Sequence, residues 1–192
     1  MKGEWCYFKQ YLSKADCEEI IQNALTIEPQ QAVIGVHGTE LDVNTSYRRS
    51  LVRFINKGDW RFQKLFDILW KTAIEANSDF FNVHITKLDY IQFAEYDASY
   101  EGEYKEHHDV FWLNGDDYYH RKLSCVVQLS DPNDYEGGNL EFVDTVNFPE
   151  ANDIRQQGTL TYFPSFFRHR ATPVTRGTRY SIAAWFDGPK WR

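Results

Sequence analysis

From about residue 80 onward, the hydrophobic period of the chain falls from about 3.6 residues to about 2. KLDYIQFAEY, LSCVVQLS, NLEFV, TLTYFP and RYSIAAWF are short, rich in β-branched or aromatic residues, and bounded by Gly, Pro, Asn or Asp. Segments of that kind read as strands separated by turns. In LSCVVQLS the apolar set Leu123, Cys125, Val127 and Leu129 faces one way, and Ser124, Gln128 and Ser130 face the other. Upstream the pattern is helical. Ser13 and Asp16 form a capping box ahead of the stripe Cys17, Ile20, Ile21, Ala24 and Leu25, which stops before Pro29. A second stripe (Phe62, Leu65, Phe66, Leu69, Ala73, Ala76) predicts a helix from about Asp59 to Asn77. Between them, QQAVIGVHGTELDVNTSYRRS reads as loop and RSLVRFI as a short strand. Helices followed by a run of strands predict an α+β chain or a helix-supported β-barrel.

A chain of 192 residues has room for one domain with a substantial core. Aromatic residues make up 17% of it, a load that suits a sheet-rich fold with deep pockets. A net charge of −7 and the lack of a Lys/Arg block argue against nucleic acid or an anionic membrane as partner. No apolar run approaches the ~20 residues needed to span a bilayer. The stretch MKGEWCYFKQ lacks the apolar core of a signal peptide. Cys6, Cys17 and Cys125 share no metal-site spacing; Cys17 and Cys125 fall on apolar stripes, as buried thiols of a reducing compartment do. The expected location is the cytoplasm.

Chemistry concentrates in EYKEHHDVF, residues 103–111. A strand puts residues i and i+2 on one face, so His107 and Asp109 point together and His108 points away. By itself the triplet reads more readily as a solvated turn than as two ligands of a metal, and a third ligand would reverse that order. His37 in the Gly-rich loop, His84 at the start of a strand and His120 in the polar run NGDDYYHRK read as surface or loop residues. His169 differs. It lies in FPSFFRHRATPV between Arg168 and Arg170, where a neutral imidazole needs an explanation and coordination supplies one. Two histidines and a carboxylate on one face of an ion suit non-haem Fe(II), and zinc accepts the same ligands. Arg179, ten residues after His169 in RGTRYSIAAWF, is placed either to grip a dicarboxylate or to end a strand at the surface. Arg176 reads as solvent-facing.

Together these residues resemble the 2-oxoglutarate- and Fe(II)-dependent dioxygenases, specifically the prolyl 4-hydroxylase-like group. That group carries a Tyr three residues before an HxD, as Tyr104 stands before His107, His108 and Asp109. It also carries a distal His followed ten positions later by a basic residue, as His169 and Arg179 do. RKLSCVVQLSDPNDYEGGNLEF resembles its central strands and Glu-Gly-Gly loop, HRATPVTRGTRYSIAAWFDGP its closing motif, and RRSLVRFI an upstream strand.

The resemblance implies a mainly β fold with supporting helices, a double-stranded β-helix or jelly-roll barrel. It implies one domain over 1–192, with helical support in 1–80 and the β-helix core in 81–189. Fe(II) would be held by His107, Asp109 and His169. 2-Oxoglutarate would be held by Arg179, with Tyr96 beside it, and O2 and ascorbate complete the cofactors. The expected reaction is oxidative decarboxylation of 2-oxoglutarate coupled to hydroxylation of a peptidyl proline. Tyr104, Trp112, Tyr118 and Tyr119 are the candidate substrate contacts, and 110–122 and 144–158 the candidate mobile segments. A free amino acid or other small metabolite is the alternative substrate; a non-catalytic β-helix binding domain is the alternative from another class.

Overall fold

A computed structural model describes residues 1–32, 34–35, 41–42, 44–112 and 115–191. Seven antiparallel strands form the larger sheet, in the order Cys6–Phe8, Leu160–Pro164, Tyr119–Gln128, Thr178–Pro189, Tyr90–Asp97, Leu51–Asn56 and Gln30–Gln31. Four form the smaller sheet, in the order Leu140–Phe142, His169–Ala171, Glu103–His107 and Arg48–Arg49. From Tyr90 onward the chain crosses between the two sheets at nearly every connection. It runs 90–97 in the larger, 103–107 in the smaller, 119–128 in the larger, 140–142 in the smaller, 160–164 in the larger, 169–171 in the smaller, and 178–189 in the larger. That alternation is a double-stranded β-helix, the jelly-roll arrangement.

The two longer helices cover the outer face of the larger sheet. The first, Lys14–Leu25, begins at the predicted capping box: Ser13 accepts the Asp16 N–H, and the Asp16 carboxylate accepts the Ser13 N–H. The second, Gln63–Ala76, follows a 3₁₀ turn capped by Asp59. Every residue of its predicted stripe is buried, against Phe93, Leu123, Cys125, Val127, Ile182 and Phe186. Tyr162 pins helix to sheet: its hydroxyl donates to the Leu69 carbonyl (3.0 Å) and lies 2.6 Å from Thr72 Oγ1. Cys6, Cys17 and Cys125 are free and buried in this layer. No helix among the described residues is long and apolar enough to cross a membrane.

Three expectations need correction. YHRK, residues 119–122, is not loop but the start of the Tyr119–Gln128 strand. Its polar residues give no local strand signal; pairing with the distant Asp187–Pro189 stretch fixes it, with Arg121 opposite Asp187 and His120 opposite Gly188. His120 is consequently buried rather than at the surface. The stretch from Gln30 to Arg49 holds short strands at Gln30–Gln31, Ile34–Gly35, Leu41–Asp42 and Arg48–Arg49, two of which become sheet edges. The boundary at residue 81 does not separate helices from sheet, because Cys6–Phe8, Gln30–Gln31 and Leu51–Asn56 complete the larger sheet. His84 is exposed, as expected, and His37 lies outside the described residues.

The inner face of the larger sheet is also closed off from water. Ser124, Gln128 and Ser130, the polar side of LSCVVQLS, are all buried, and buried polar groups require partners. Their partners form the site described below. Truncating the fully buried Leu69 to Ala should lower unfolding free energy by about 2–5 kcal/mol in chemical denaturation. Leu25→Ala, at a position 43% exposed, should cost no more than about 0.5 kcal/mol.

Candidate active site

Strand pairing builds the centre. His107, the last residue of Glu103–His107, lies opposite His169, the first of His169–Ala171. Their ring centroids are 4.3 Å apart. Asp109 follows just past the strand end, where its N–H donates to the Ser165 carbonyl (2.8 Å). Its carboxylate faces both imidazoles: His107 Nε2 is 3.7 Å from Oδ1, and His169 Nε2 is 3.7 Å from Oδ2. One ligand atom from each of the three residues lies within 4.8 Å of the others. His108 is exposed on the opposite side, its ring edge toward Trp112.

The surroundings set the chemical state of these groups. Each imidazole Nδ1 meets a backbone carbonyl two residues upstream, His107 that of Lys105 at 2.8 Å and His169 that of Phe167 at 3.0 Å. A carbonyl only accepts, so each Nδ1 carries a proton and each Nε2 presents its lone pair toward Asp109. Burial, then the neighbouring His169, push His107 down to about 3 despite the attraction of Asp109; it is an uncharged nitrogen donor at neutral pH. Burial works against ionisation of Asp109, but His169, His107, Arg121 and the Ser124 hydroxyl together hold its carboxyl below the usual range. Ser124 Oγ donates to Asp109 Oδ2 (2.6 Å) and lies 2.9 Å from Ser165 Oγ. Oriented imidazole lone pairs and an ionised carboxylate in one dry corner fit a divalent transition-metal ion.

Four residues along the same face of the Ser124 strand, about 13 Å away, Gln128 Oε1 accepts a hydrogen bond from Arg179 Nε (3.1 Å). Gln128 Nε2 in turn donates to the Tyr135 hydroxyl (2.8 Å). Arg179 is 3% exposed and has no carboxylate partner among the described residues. It lies opposite Tyr96 in the sheet, with its guanidinium 5.5 Å from the Tyr96 ring. The group borders a small cavity of about 20 Å³, lined also by Gln128, Tyr135, Leu140 and Thr161. The Glu-Gly-Gly turn backs it. Gly138 has φ +60°, and a Cβ there would come within 2.8 Å of Arg179 Cδ, so glycine lets the turn close on the arginine stem. Arg176 is exposed and pairs with Glu136 (2.8 Å), in line with its solvent-facing reading.

The candidate substrate contacts divide. Tyr104 stacks on His107, 3.4 Å between centroids and 14° between planes. Trp112 and Tyr118 are 45% and 77% exposed on the loop after the centre. Tyr119 is not on that loop: it begins a strand, and its ring carries the Lys87 ammonium at 4.4 Å. Asp116 caps the Tyr118 and Tyr119 N–H groups (2.8 and 3.0 Å). The segment 144–158 is tied down at its start, where Glu4 accepts the N–H groups of Val146 and Asn147. Sequence reasoning assigned no site role to Ser124, Gln128, Arg48 or Arg121. Arg121 stacks 3.8 Å over Trp185 and donates to the Tyr90 hydroxyl (2.7 Å). The one signal for Ser124 and Gln128 was polar alternation on a strand whose two faces are both buried.

The profile of the 2OG-Fe(II) oxygenase superfamily matches residues 91–187. A PKHD-type hydroxylase of Aliarcobacter butzleri is 32% identical over 128 residues, covering 64% of this chain and 54% of that protein. One from Xylella fastidiosa is 41% identical over 63 residues, covering 33% of this chain and 26% of that protein. The matches thus span about half or less of these relatives. Among solved structures, a Pseudomonas putida prolyl-4-hydroxylase superposes with a TM-score of 0.70 at 21% identity, covering 95% of this chain and 91% of that one. A Trichoplax adhaerens prolyl hydroxylase, in complex with a hypoxia inducible factor oxygen degradation domain peptide fragment, superposes with a TM-score of 0.73 at 18% identity, covering 95% and 83%. At those identities the structures speak for a shared fold. With half its length matched by the superfamily profile, this chain belongs to the 2OG-Fe(II) oxygenase superfamily.

Proposed function

We propose that the chain is an Fe(II)- and 2-oxoglutarate-dependent dioxygenase that hydroxylates peptidyl proline. One observation carries the reading: His107, Asp109 and His169 converge with oriented donor atoms, and a buried arginine with no carboxylate partner among the described residues lies on the same inner surface. When bound, Fe(II) with 2-oxoglutarate and O2 supplies the oxidising power for inserting oxygen into a C–H bond. The protein holds, orients and shields. His107, Asp109 and His169 are the ligands, their rotamers fixed by Lys105, Phe167 and Ser124. Asp109 offsets part of the metal charge. Phe142 and Phe163 pack around the His169 ring and keep water from that side. Gln128 engages Arg179 through Nε, leaving both terminal nitrogens for a bidentate grip on the far carboxylate of 2-oxoglutarate, with Tyr96 alongside.

The peptide substrate is supported by the prolyl hydroxylase folds and by exposed Trp112 and Tyr118, which offer rings to an extended, proline-stiffened chain. Residues 1–192 act as one unit in this reading, since one apolar cluster joins both helices to the larger sheet. Ascorbate, as accessory cofactor, rests on the family resemblance. The cytoplasmic location rests on the free, buried cysteines.

His107→Ala or His169→Ala should abolish succinate formation and metal retention, while His108→Ala keeps most of both; equal loss in all three would refute the ligand assignment. Arg179→Ala should raise the KM for 2-oxoglutarate by the equivalent of about 2–5 kcal/mol. Gly138→Ala should shift it in the same direction through the arginine stem, and Arg176→Ala should leave it near wild type. A rise for Arg176→Ala larger than that for Arg179→Ala would place the co-substrate elsewhere. Proline-containing peptides should stimulate succinate release and gain one oxygen by mass spectrometry, and Trp112→Ala with Tyr118→Ala should weaken that stimulation. If a small metabolite is hydroxylated instead and the loop variants behave as wild type, the peptide reading fails.

A further inference from the structure

Among the described residues, three cationic side chains are more than nine-tenths buried without a carboxylate within 4.0 Å: Arg48 at 7% exposed, Lys122 at 5% and Arg179 at 3%. Arg53, equally buried, has Glu95 at 2.8 Å, the usual arrangement for a buried arginine with a structural role. Lys122 sits 3.6 Å over the Trp191 ring, which offsets part of its desolvation. Arg179 is already assigned to the co-substrate. Arg48 has no such account.

Arg48 lies opposite Tyr104 in the smaller sheet, and its side chain reaches across to the larger one. Nε donates to Ser50 Oγ (2.8 Å) and Nη2 to Gln92 Oε1 (2.7 Å), both neutral acceptors. Gln92 belongs to the inward row of the Tyr90–Asp97 strand that also carries Ala94 and Tyr96. Arg48 Nη1 and Gln92 Nε2 have no hydrogen-bond partner among the described residues. The guanidinium lies 4.3 Å from the centroid of the Tyr104 ring, and the His107 ring stacks on the same Tyr at 3.4 Å. Two groups that close cannot share one ring face without clashing. Tyr104 is thus sandwiched, and a single aromatic ring separates Arg48 from the metal-facing imidazole.

We infer that Arg48 and Gln92 form an anion-binding subsite for a carboxylate carried by the substrate itself. This rests on the dioxygenase reading, in which Arg179 holds the co-substrate. A guanidinium N–H and the amide N–H of the glutamine bonded to it, both unpartnered among the described residues, match the two oxygens of one carboxylate. With one ring between Arg48 and the His107 imidazole, that carboxylate belongs to the hydroxylated residue or to its immediate neighbour. The two sources are the α-carboxylate of a free or C-terminal amino acid and the side chain of an adjacent Asp or Glu. The exposed Asp116 does not compete for this role, since it caps the turn before the next strand.

The test is binding to Fe(II)-loaded, 2-oxoglutarate-saturated protein under anaerobic conditions, by calorimetry. One probe pair is N-acetylproline and N-acetylprolinamide; the other is an internal-proline peptide followed by Glu or by Gln. In the wild type, at least one carboxylate probe should bind about tenfold or more tightly than its amide, and the responding pair identifies the source. Arg48→Gln should abolish that preference, Arg48→Lys should retain part of it, and Gln92→Leu, which leaves the charge in place, should reduce it. Thermal unfolding checks each variant, and Arg48→Lys and Gln92→Leu carry the test if Arg48→Gln does not fold. No carboxylate preference in either pair, or the same preference in the folded Arg48 variants, overturns the inference. So does an Arg48 variant whose loss falls on 2-oxoglutarate alone. Because binding requires no turnover, a carboxylate preference that depends on Arg48 in a protein forming no succinate counts against the dioxygenase reading and leaves the subsite standing.

Discussion

The pairing of the Glu103–His107 strand with His169–Ala171 is the contact on which the site depends. It brings together residues more than sixty positions apart and sets His107 directly across from His169. Strand register is quantised in steps of one residue, and a single slip turns every side chain to the other face. A shift here would send one imidazole to solvent, and no rotamer change would recover the cluster. The register is held on one side by Leu140–Phe142, which pairs with the His169 strand, and on the other by Arg48–Arg49, which pairs with the Tyr104 strand. Short strands suffice because the larger sheet, packed under two helices, holds their ends in place.

Around this pairing the interior of the sandwich is polar yet almost fully partnered. Ser124 serves Asp109, Gln128 serves Arg179 and Tyr135, and Gln92 serves Arg48. Each neutral group orients a charged one by an interaction that strengthens as water is excluded. Ligands pre-set in this way need little reorganisation when an ion or an anion arrives, the structural requirement for a tight and well-defined centre. The exceptions are the buried Arg48 and Arg179, which have no carboxylate within 4.0 Å among the described residues; Arg179 borders the cavity beside Gln128.

Much of this was legible in the amino-acid order because local rules and tertiary structure agree. The stripe Phe62 to Ala76 and the capping box at Ser13 specify their helices almost unaided. The i, i+2 spacing of His107 and Asp109 also survives in space, although the strand ends between them. Other features were hidden because distant partners decide them. Tyr119–Lys122 is polar and strand-forming only through its pairing with Asp187–Pro189. The short edges at Gln30–Gln31 and Arg48–Arg49 have no alternation to reveal them. The roles of Ser124, Gln128 and Arg48 arise from enclosure by a second sheet, which one-face patterning does not report.

The central claim is that His107, Asp109 and His169 hold one Fe(II) that also engages 2-oxoglutarate. Anaerobic titration of the protein with Fe(II) and 2-oxoglutarate, followed by visible absorption, tests it most directly. The account predicts a metal-to-ligand charge-transfer band that needs both additions, saturates at one equivalent of iron and disappears in Asp109→Ala. No band, or a band of full intensity in Asp109→Ala, would contradict it.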